Sequence, residues 1–401
     1  MHMLETEILI IGGGIAGAST AYHLALYGRQ VMLVERNDIA SEASGVNAGA
    51  IGAIGWGNVP NLESYLTMGS LEIFKSLQVD LGYDIEFRRS GSLQAIQTEA
   101  EYAYIQRRVF ELASQGYTVD LLATREAQTI EPELSSALLG CLYMPLRAQA
   151  DPKKATRALA TAAERNGGRL LLNHEVTGIH PLGDDTYQVE TSQGPCRATI
   201  LIIAAGAWCG GLGTKLGVHI PIVPVRGQMW ASAPLPPRLF HTISAAESSL
   251  QWHTAPGNDQ QTPPYLTHRG QQRLTRHLYG RQTRAGEIIF GGDRQLLAYD
   301  KTLDPAGIKV NHGHAAEVLP FLRDLSITRT WAGLMPFPLD GAPIIGKIAQ
   351  RPHLYVVSGL ASSGFGRGPM AGKLLADYIH TGHRPHVLAE ADPARCVTLV
   401  E

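Results

Sequence analysis

Glu7-Ile8-Leu9-Ile10-Ile11-Gly12-Gly13-Gly14-Ile15-Ala16-Gly17 is the stretch whose reading decides the fold. Its unbroken apolar run suits a strand buried on both faces of a parallel sheet. Residues 15–26 are Ala-rich and helix-prone, Gly28 is a stop signal, and residues 31–35 read as the next strand, so the opening is β-α-β. Gly12, Gly14 and Gly17 spell GxGxxG between strand and helix. The first glycine allows the tight turn, the second lets backbone approach a pyrophosphate, and the third lets helix and strand pack closely. The helix N-terminus then offers unpaired N–H groups and partial positive charge to phosphates. Glu35 stands eighteen residues beyond Gly17, where a carboxylate accepts both hydroxyls of a ribose. That disfavours a 2′-phosphate, although Arg36 beside it leaves one open.

Working outward, residues 41–57 form a Gly- and Ala-rich loop and 62–81 read as a helix. Residues 84–144 mix strand and helix patterns. A helix is expected at 152–165, started by Asp151 with Pro152 at its first position. Strands are expected at 169–172, 187–191 and 198–203. Residues 220–329 are rich in Gln, His, Arg and Pro with scattered strands, and 254–264 look like an exposed loop. A last β-α unit comprises 353–358 and a helix ending near His380. Strands alternating with helices predict an α/β sheet, interrupted by a second domain.

Length and charge agree with this reading. The 401 residues suit two joined units better than one core. Lys and Arg number 34 against 36 Asp and Glu, a balance that speaks against a nucleic-acid or polyanion binder. Cys141, Cys196, Cys209 and Cys396 form no CxxC pair, which argues against a disulfide scaffold or structural zinc and for reduced thiols. No apolar run reaches the ~18 residues that span a bilayer. The start carries no basic segment of a signal peptide, so a cytoplasmic location is expected by default. No metal site is expected: Asn311-His312-Gly313-His314 reads as a solvent-facing loop.

Three features favour FAD over NAD. The fingerprint falls within the first twenty residues of a long chain. The loop at 41–57 has small residues where an extended dinucleotide needs close backbone approach. Near the C-terminus, Ser358-Gly359-Leu360-Ala361-Ser362-Ser363-Gly364-Phe365-Gly366-Arg367-Gly368-Pro369 again joins strand to helix. A second helix N-terminus aimed at the cofactor would stabilise negative charge on a reduced isoalloxazine; the plainer reading is a Gly-rich turn. No second GxGxxG follows, so electrons are expected directly from the substrate.

With these motifs the chain resembles the D-amino-acid oxidase superfamily of flavoproteins, in its glycine oxidase and sarcosine oxidase-like branch. The matching stretches are 8–17, Glu35, 41–52, 204–208, 224–228 (Pro-Val-Arg-Gly-Gln), Trp331-Ala332-Gly333-Leu334 with 340–346, and 364–372. The resemblance implies a Rossmann-like FAD-binding domain (1–83, 145–218 and 330–401) and a substrate domain built on an antiparallel sheet (84–144 and 219–329). It also implies hydride removal from a C–H beside nitrogen, giving an imine that water hydrolyses. It assigns cofactor contacts to Gly12, Gly14, Ile15, Ala16, Gly17, Glu35, Arg36, Ala43, Ser44, Asn47, Ala48, Gly49, Ala50, Val176, Ala205, Gly206, Trp208, Ser362, Gly364, Phe365, Gly366 and Arg367. Tyr279 aligns with an active-site tyrosine of the glycine oxidases and is expected to position substrate. Arg367, with the backbone of 364–366, is expected to face the flavin's charge.

One departure limits the transfer. Amino-acid oxidases of this branch carry an Arg after Trp-Ala-Gly-Leu to clamp the substrate carboxylate; here that position is Met335, followed by Pro336 and Phe337. Either Arg367, Arg281 or Arg294 replaces it, or the substrate is a larger or N-substituted amine. No His or Cys falls within 37–58, so FAD is expected to be non-covalent. The expected partners are an amine or amino acid and O2 or another acceptor, with a homo- or hetero-oligomer left open. Alternatives are a flavin subunit of a dehydrogenase complex and an NAD(P)H-using flavin monooxygenase. Against the latter, Gly292-Asp293-Arg294 is a poor match to the Gly-Asp-Ala motif such enzymes carry.

Overall fold

The computed structural model describes residues 3–52, 62–254 and 261–400. The expected loop residues 53–57 and 255–260 lie outside them. Two sheets organise the chain. The first has eight strands among the described residues. Its parallel centre runs Leu354–Ser358, Gly194–Ile203, Leu4–Ile11, Val31–Val34 and Arg169–Leu171. Ile344–Lys347 adds antiparallel at one edge. Ile8 to Ile11 and Val31 to Val34 are all buried, as the unbroken apolar runs require of strands covered on both faces.

The helices that cover this sheet follow their local signals. Ile15–Leu26 ends where Gly28 adopts a left-handed φ of 73°. Pro152–Arg165 starts where the Asp151 carboxylate accepts the Lys154 N–H at 2.7 Å. Leu62–Val79 and Gly364–Thr381 complete the layer. The closest approach is between the first helix and the last. A Cβ on Gly368 would come within 2.5 Å of the Ile15 side chain, and one on Gly372 within 2.6 Å of the Ala16 carbonyl oxygen. The Ser19 hydroxyl donates to the Pro369 carbonyl at 2.6 Å across the same crossing. Only glycine lets these backbones meet.

The second sheet has nine strands among the described residues. Ile222–Ser232 is its longest partner, pairing antiparallel with Ile327–Pro338 on one side and with Ile288–Gly291 and Gln295–Leu296 on the other. Tyr279–Gln282, Thr242–Ala245, Ser92–Ile96, Gly140–Met144 and Asp120–Leu122 continue it. All pairs are antiparallel except Thr242–Ala245 with Ser92–Ile96. The strand Ile327–Pro338 carries the Trp-Ala-Gly-Leu motif, so the domain boundary expected at residue 330 falls inside a strand of this second sheet.

One expectation is corrected. Asn311-His312-Gly313-His314 is no solvent-facing loop but the middle of the helix Pro305–Val318. Asp304 caps that helix, and Gly313 does not break it. His314 is 1% exposed, with Nε2 bonded to Gln97 Oε1 at 2.7 Å, and Asn311 accepts the Trp230 indole N–H at 2.8 Å. The helix thus covers the rear face of the second sheet. No described helix is long and apolar enough to cross a membrane.

Two outcomes follow from this packing. Gly372→Ala forces the two helices apart and should cost about 2 kcal/mol or more; an unfolding midpoint in denaturant within error of the parent would show that the crossing tolerates a methyl group. His23, buried in the first helix, has its pKa lowered to about 4, chiefly by burial. The unfolded chain therefore binds a proton that the folded chain rejects. Stability is full above about pH 6.5 and falls by roughly 2 to 3 kcal/mol as pH drops towards 4. His23→Gln should flatten that part of the pH–stability curve.

Candidate active site

A cavity of about 1030 Å³ lies between the two sheets' units, at the upper end of the size of small-molecule sites. The front face of the second sheet closes one side. Trp331 and Gly333 bring that face onto the cofactor-type loop: the Trp331 indole N–H donates to the Val46 carbonyl at 2.7 Å, and a Cβ on Gly333 would meet Val46 at 2.6 Å.

At the far end the fingerprint loop is built as its sequence requires. Gly12 has φ 116°, and a Cβ there would stand 2.5 Å from the Ala204 carbonyl oxygen. A Cβ on Gly17 would come within 2.1 Å of the Gly12 carbonyl oxygen, so Gly17 serves helix–strand contact from behind the cavity wall. The Glu35 carboxylate accepts the Gly13 N–H at 2.8 Å and the Asn37 N–H at 3.0 Å, and it remains on the wall. Ser44 accepts the Ile15 N–H at 2.9 Å. Arg36 bonds Glu42 at 2.8 Å and lies 3.9 Å above the Trp208 ring, so its charge is already shared. Val176, Ala205 and Gly206 line the same end.

The strand Leu354–Ser358 leads through a short 3-10 turn at Ala361–Ser363 into the Gly364–Thr381 helix. Ser362, Gly364, Phe365, Gly366 and Arg367 border the cavity there. Arg367 is 4% exposed, and its guanidinium makes two bonds to the Glu63 carboxylate, at 2.6 and 3.0 Å. The cation expected to serve the flavin is thus half of an ion pair. Glu63 and Arg147 are missed by sequence reasoning, because nothing local marks either one. Arg147 packs its stem against Gly52, and burial together with Arg367 pushes its pKa down to about 10.

The front face of the second sheet carries Tyr279, Met229, Met335 and Arg294. The Tyr279 hydroxyl lies 3.5 Å from the Met229 sulfur, and burial raises its pKa. Met335 packs with Tyr265, Leu266, Phe337 and Ala361 into an apolar patch. Arg294 is 4% exposed and lies 4.3 Å over the Trp252 ring. It donates to the Tyr265 carbonyl at 3.3 Å and to His277 Nε2 at 3.1 Å. Because a guanidinium only donates, Nε2 accepts and the His277 proton sits on Nδ1, facing the Ser248 hydroxyl at 2.8 Å. Burial, then the Arg294 charge, holds the His277 pKa well below its ordinary value. His277 was legible in principle: it stands two residues before Tyr279, on the same face of an extended segment.

Not every expected residue reaches the wall. Asn47 and Ala50 line the cavity, along with Ala43 and Ser44. Ala48 and Gly49 sit behind them, and a Cβ on Gly49 would strike the Ala150 carbonyl oxygen at 2.0 Å. Arg281, a candidate for carboxylate binding, is corrected to a structural role. Its guanidinium bonds the carbonyls of Ala48 and Ala150 and the Gln149 side chain, fastening that loop from the rear.

The residues fit an extended dinucleotide. Two helix N-termini and a glycine turn that no side chain could enter lie on one cavity, which runs from Glu35 and Val176 to the second sheet. Comparison with known proteins agrees. A family model described as FAD dependent oxidoreductase (DAO) matches residues 7–378. Glycine oxidase of Geobacillus kaustophilus is 26% identical over 381 residues, 93% of this chain and 92% of that protein. Mitochondrial dimethylglycine dehydrogenase of Mus musculus is 28% identical over 98% of this chain, which spans only 44% of that protein. The solved structure of L-proline dehydrogenase from P. horikoshii superposes with a TM-score of 0.84 at 26% identity, covering 98% of each chain.

Glu35→Ala removes the acceptor that holds the Gly13 and Asn37 N–H groups and that would accept the ribose hydroxyls of a bound dinucleotide. FAD binding to apoprotein, read by quenching of flavin fluorescence, should weaken about 10- to 100-fold. An unchanged affinity would take Glu35 out of the cofactor site.

Proposed function

The chain belongs to the DAO family of FAD-dependent oxidoreductases, and from that premise we propose that it oxidises an amine or amino acid at the C–H next to nitrogen. One observation carries the reading: a single cavity joins the dinucleotide end to the front face of an antiparallel sheet, where a mostly apolar wall offers room for a small substrate. Relatives named for glycine, dimethylglycine and proline share a C–H beside a nitrogen as their common chemistry. In this reading the first sheet and its helices form the FAD unit and the second sheet forms the substrate unit. The FAD is non-covalent.

Bound FAD supplies a two-electron acceptor for hydride from that C–H, leaving an imine that water hydrolyses. The chain's own residues orient and polarise. Tyr279 and Met335 shape the cavity wall and would hold the reacting C–H in place rather than leave it to diffusion. With FAD bound, the backbone N–H groups at the start of the Gly364–Thr381 helix would stabilise negative charge on it, with the Arg367–Glu63 pair beside them. Neither His277, held neutral by burial, nor Tyr279, whose hydroxyl keeps its proton, accepts a proton near pH 7. The substrate amine therefore arrives already neutral.

The test is anaerobic mixing of the yellow holoenzyme with a panel of primary, secondary and tertiary amines and amino acids. Bleaching by one of them without NAD(P)H supports the proposal; bleaching only by NADPH would replace it with a monooxygenase reading. Reoxidation by air or only by an added dye then separates oxidase from dehydrogenase. Two further outcomes are expected. With any active substrate, kcat/KM should rise with pH up to the substrate amine's own pKa. That limb should move when an amine of different pKa is used, and a limb fixed across substrates would reveal a protein base. Glu63→Gln should leave Arg367 with uncompensated charge and raise the flavin potential by tens of millivolts, measured by equilibration with a reference dye.

A further inference from the structure

The position that holds a cation in the resembling amino-acid oxidases is Met335 here, on the strand Ile327–Pro338. The register of the sheet shows what stands across from it. Val225 pairs with Met335 on one side and with Leu296 on the other. Side chains alternate along a strand, so Arg294, two residues before Leu296, projects to the same face as Met335. Between them runs Gly227, paired with Gly333, where even a Cβ would come within 2.9 Å of the Met335 methyl carbon. The sheet therefore places the Arg294 backbone two strands, ~10 Å, from that of Met335, with the Met335 methyl group lying over Gly227 between them.

Arg294 is held as a preformed group. Thr267 fixes its backbone twice over: the hydroxyl accepts the Arg294 N–H at 2.7 Å, and the Thr267 N–H donates to the Arg294 carbonyl at 3.0 Å. The guanidinium is set by the Trp252 ring, by His277 and by the Tyr265 carbonyl. Tyr265 itself adopts φ 65°, a left-handed conformation that a bulky residue takes only where the surroundings impose it. Of the other two candidate cations, Arg281 lies behind the wall and Arg367 pairs with Glu63.

We infer that Arg294 binds the carboxylate of an amino-acid substrate from the opposite edge of the sheet face, leaving the Met335–Tyr265 patch to the apolar part of the molecule. The substrate class is then an amino acid with a free carboxylate and an apolar substituent, such as a secondary or cyclic amine, rather than a simple alkylamine. A guanidinium suits this task because its planar fork meets both carboxylate oxygens, and its burial makes an incoming anion more favourable than it would be at the surface. The inference rests on the amine-oxidation reading for its substrate, but its test needs no turnover.

The holoenzyme is titrated with pyrrole-2-carboxylate and with the neutral pyrrole-2-carboxamide, following the perturbed visible spectrum of the flavin. In Arg294→Met the carboxylate should bind about 100-fold more weakly or worse, with the amide changed less than threefold. Equal losses for both probes, or none for the carboxylate, would overturn the assignment. If the methionine variant does not retain FAD, Arg294→Lys is titrated instead. It keeps the charge and loses the fork, and a tenfold loss confined to the carboxylate supports the assignment while parent-like binding overturns it. An amine panel that never bleaches the flavin would sink the proposed reaction and leave this binding result standing.

Discussion

The close crossing of the first helix with the last is the constraint on which the rest of the molecule depends. Ile15–Leu26 and Gly364–Thr381 approach so nearly that Gly368 and Gly372 admit no side chain. Because each helix begins at the edge of the same parallel sheet, that contact aims both N-termini at one cavity. Two partial positive ends then converge on a single space. The Gly12–Gly17 contact does the same work one layer down, setting the first helix on its strand. Hydrophobic burial alone would hold these elements together but would not fix their spacing to the fraction of an ångström that a dinucleotide needs.

The second sheet divides its work between its faces. Behind, Trp230 and Asn311 join it to a helix through a buried hydrogen bond. In front, it carries Tyr279, Met335 and Arg294 towards the cavity, whose polar lining includes both cations and carboxylates. Arg147, Arg294 and Arg367 all line it. Buried positive charge is costly, and burial drives the Arg147 and Arg294 pKa values down. Glu63 offsets the charge of Arg367.

Much of the first unit was legible because its signals are local. The glycine fingerprint, the Asp151-Pro152 helix start and the buried strand at Ile8–Ile11 each depend on neighbours in sequence, and each is where it was expected. The errors came where a distant partner decides the outcome. Residues 311–314 read as a solvent-facing loop, yet they are helical, with Asn311 and His314 bonded to the distant Trp230 and Gln97. Arg281 looked like a ligand-binding cation, yet its partners are carbonyls more than 130 residues away. Glu63 carries no motif at all and matters only through Arg367. Residue 330, the expected boundary, lies within strand Ile327–Pro338, whose partner Ile222–Ser232 is about a hundred residues away.

The order in which the first sheet is assembled has a consequence for biogenesis. Its central strand Leu4–Ile11 pairs with Gly194–Ile203, which pairs with Leu354–Ser358, and the final helix follows. The loop behind Asn47 is meanwhile fastened by Arg281 and Trp331, two residues of the other unit. No contiguous half of the chain holds a complete cofactor cradle. A ribosome must therefore release the chain through the Gly364–Thr381 helix before the cradle closes, and such long-range pairing is slow to form. Until then the early strand Ile8–Ile11 has no neighbour but Val31–Val34, so the space that two helix N-termini share forms only after the most distant of these segments has joined the sheet.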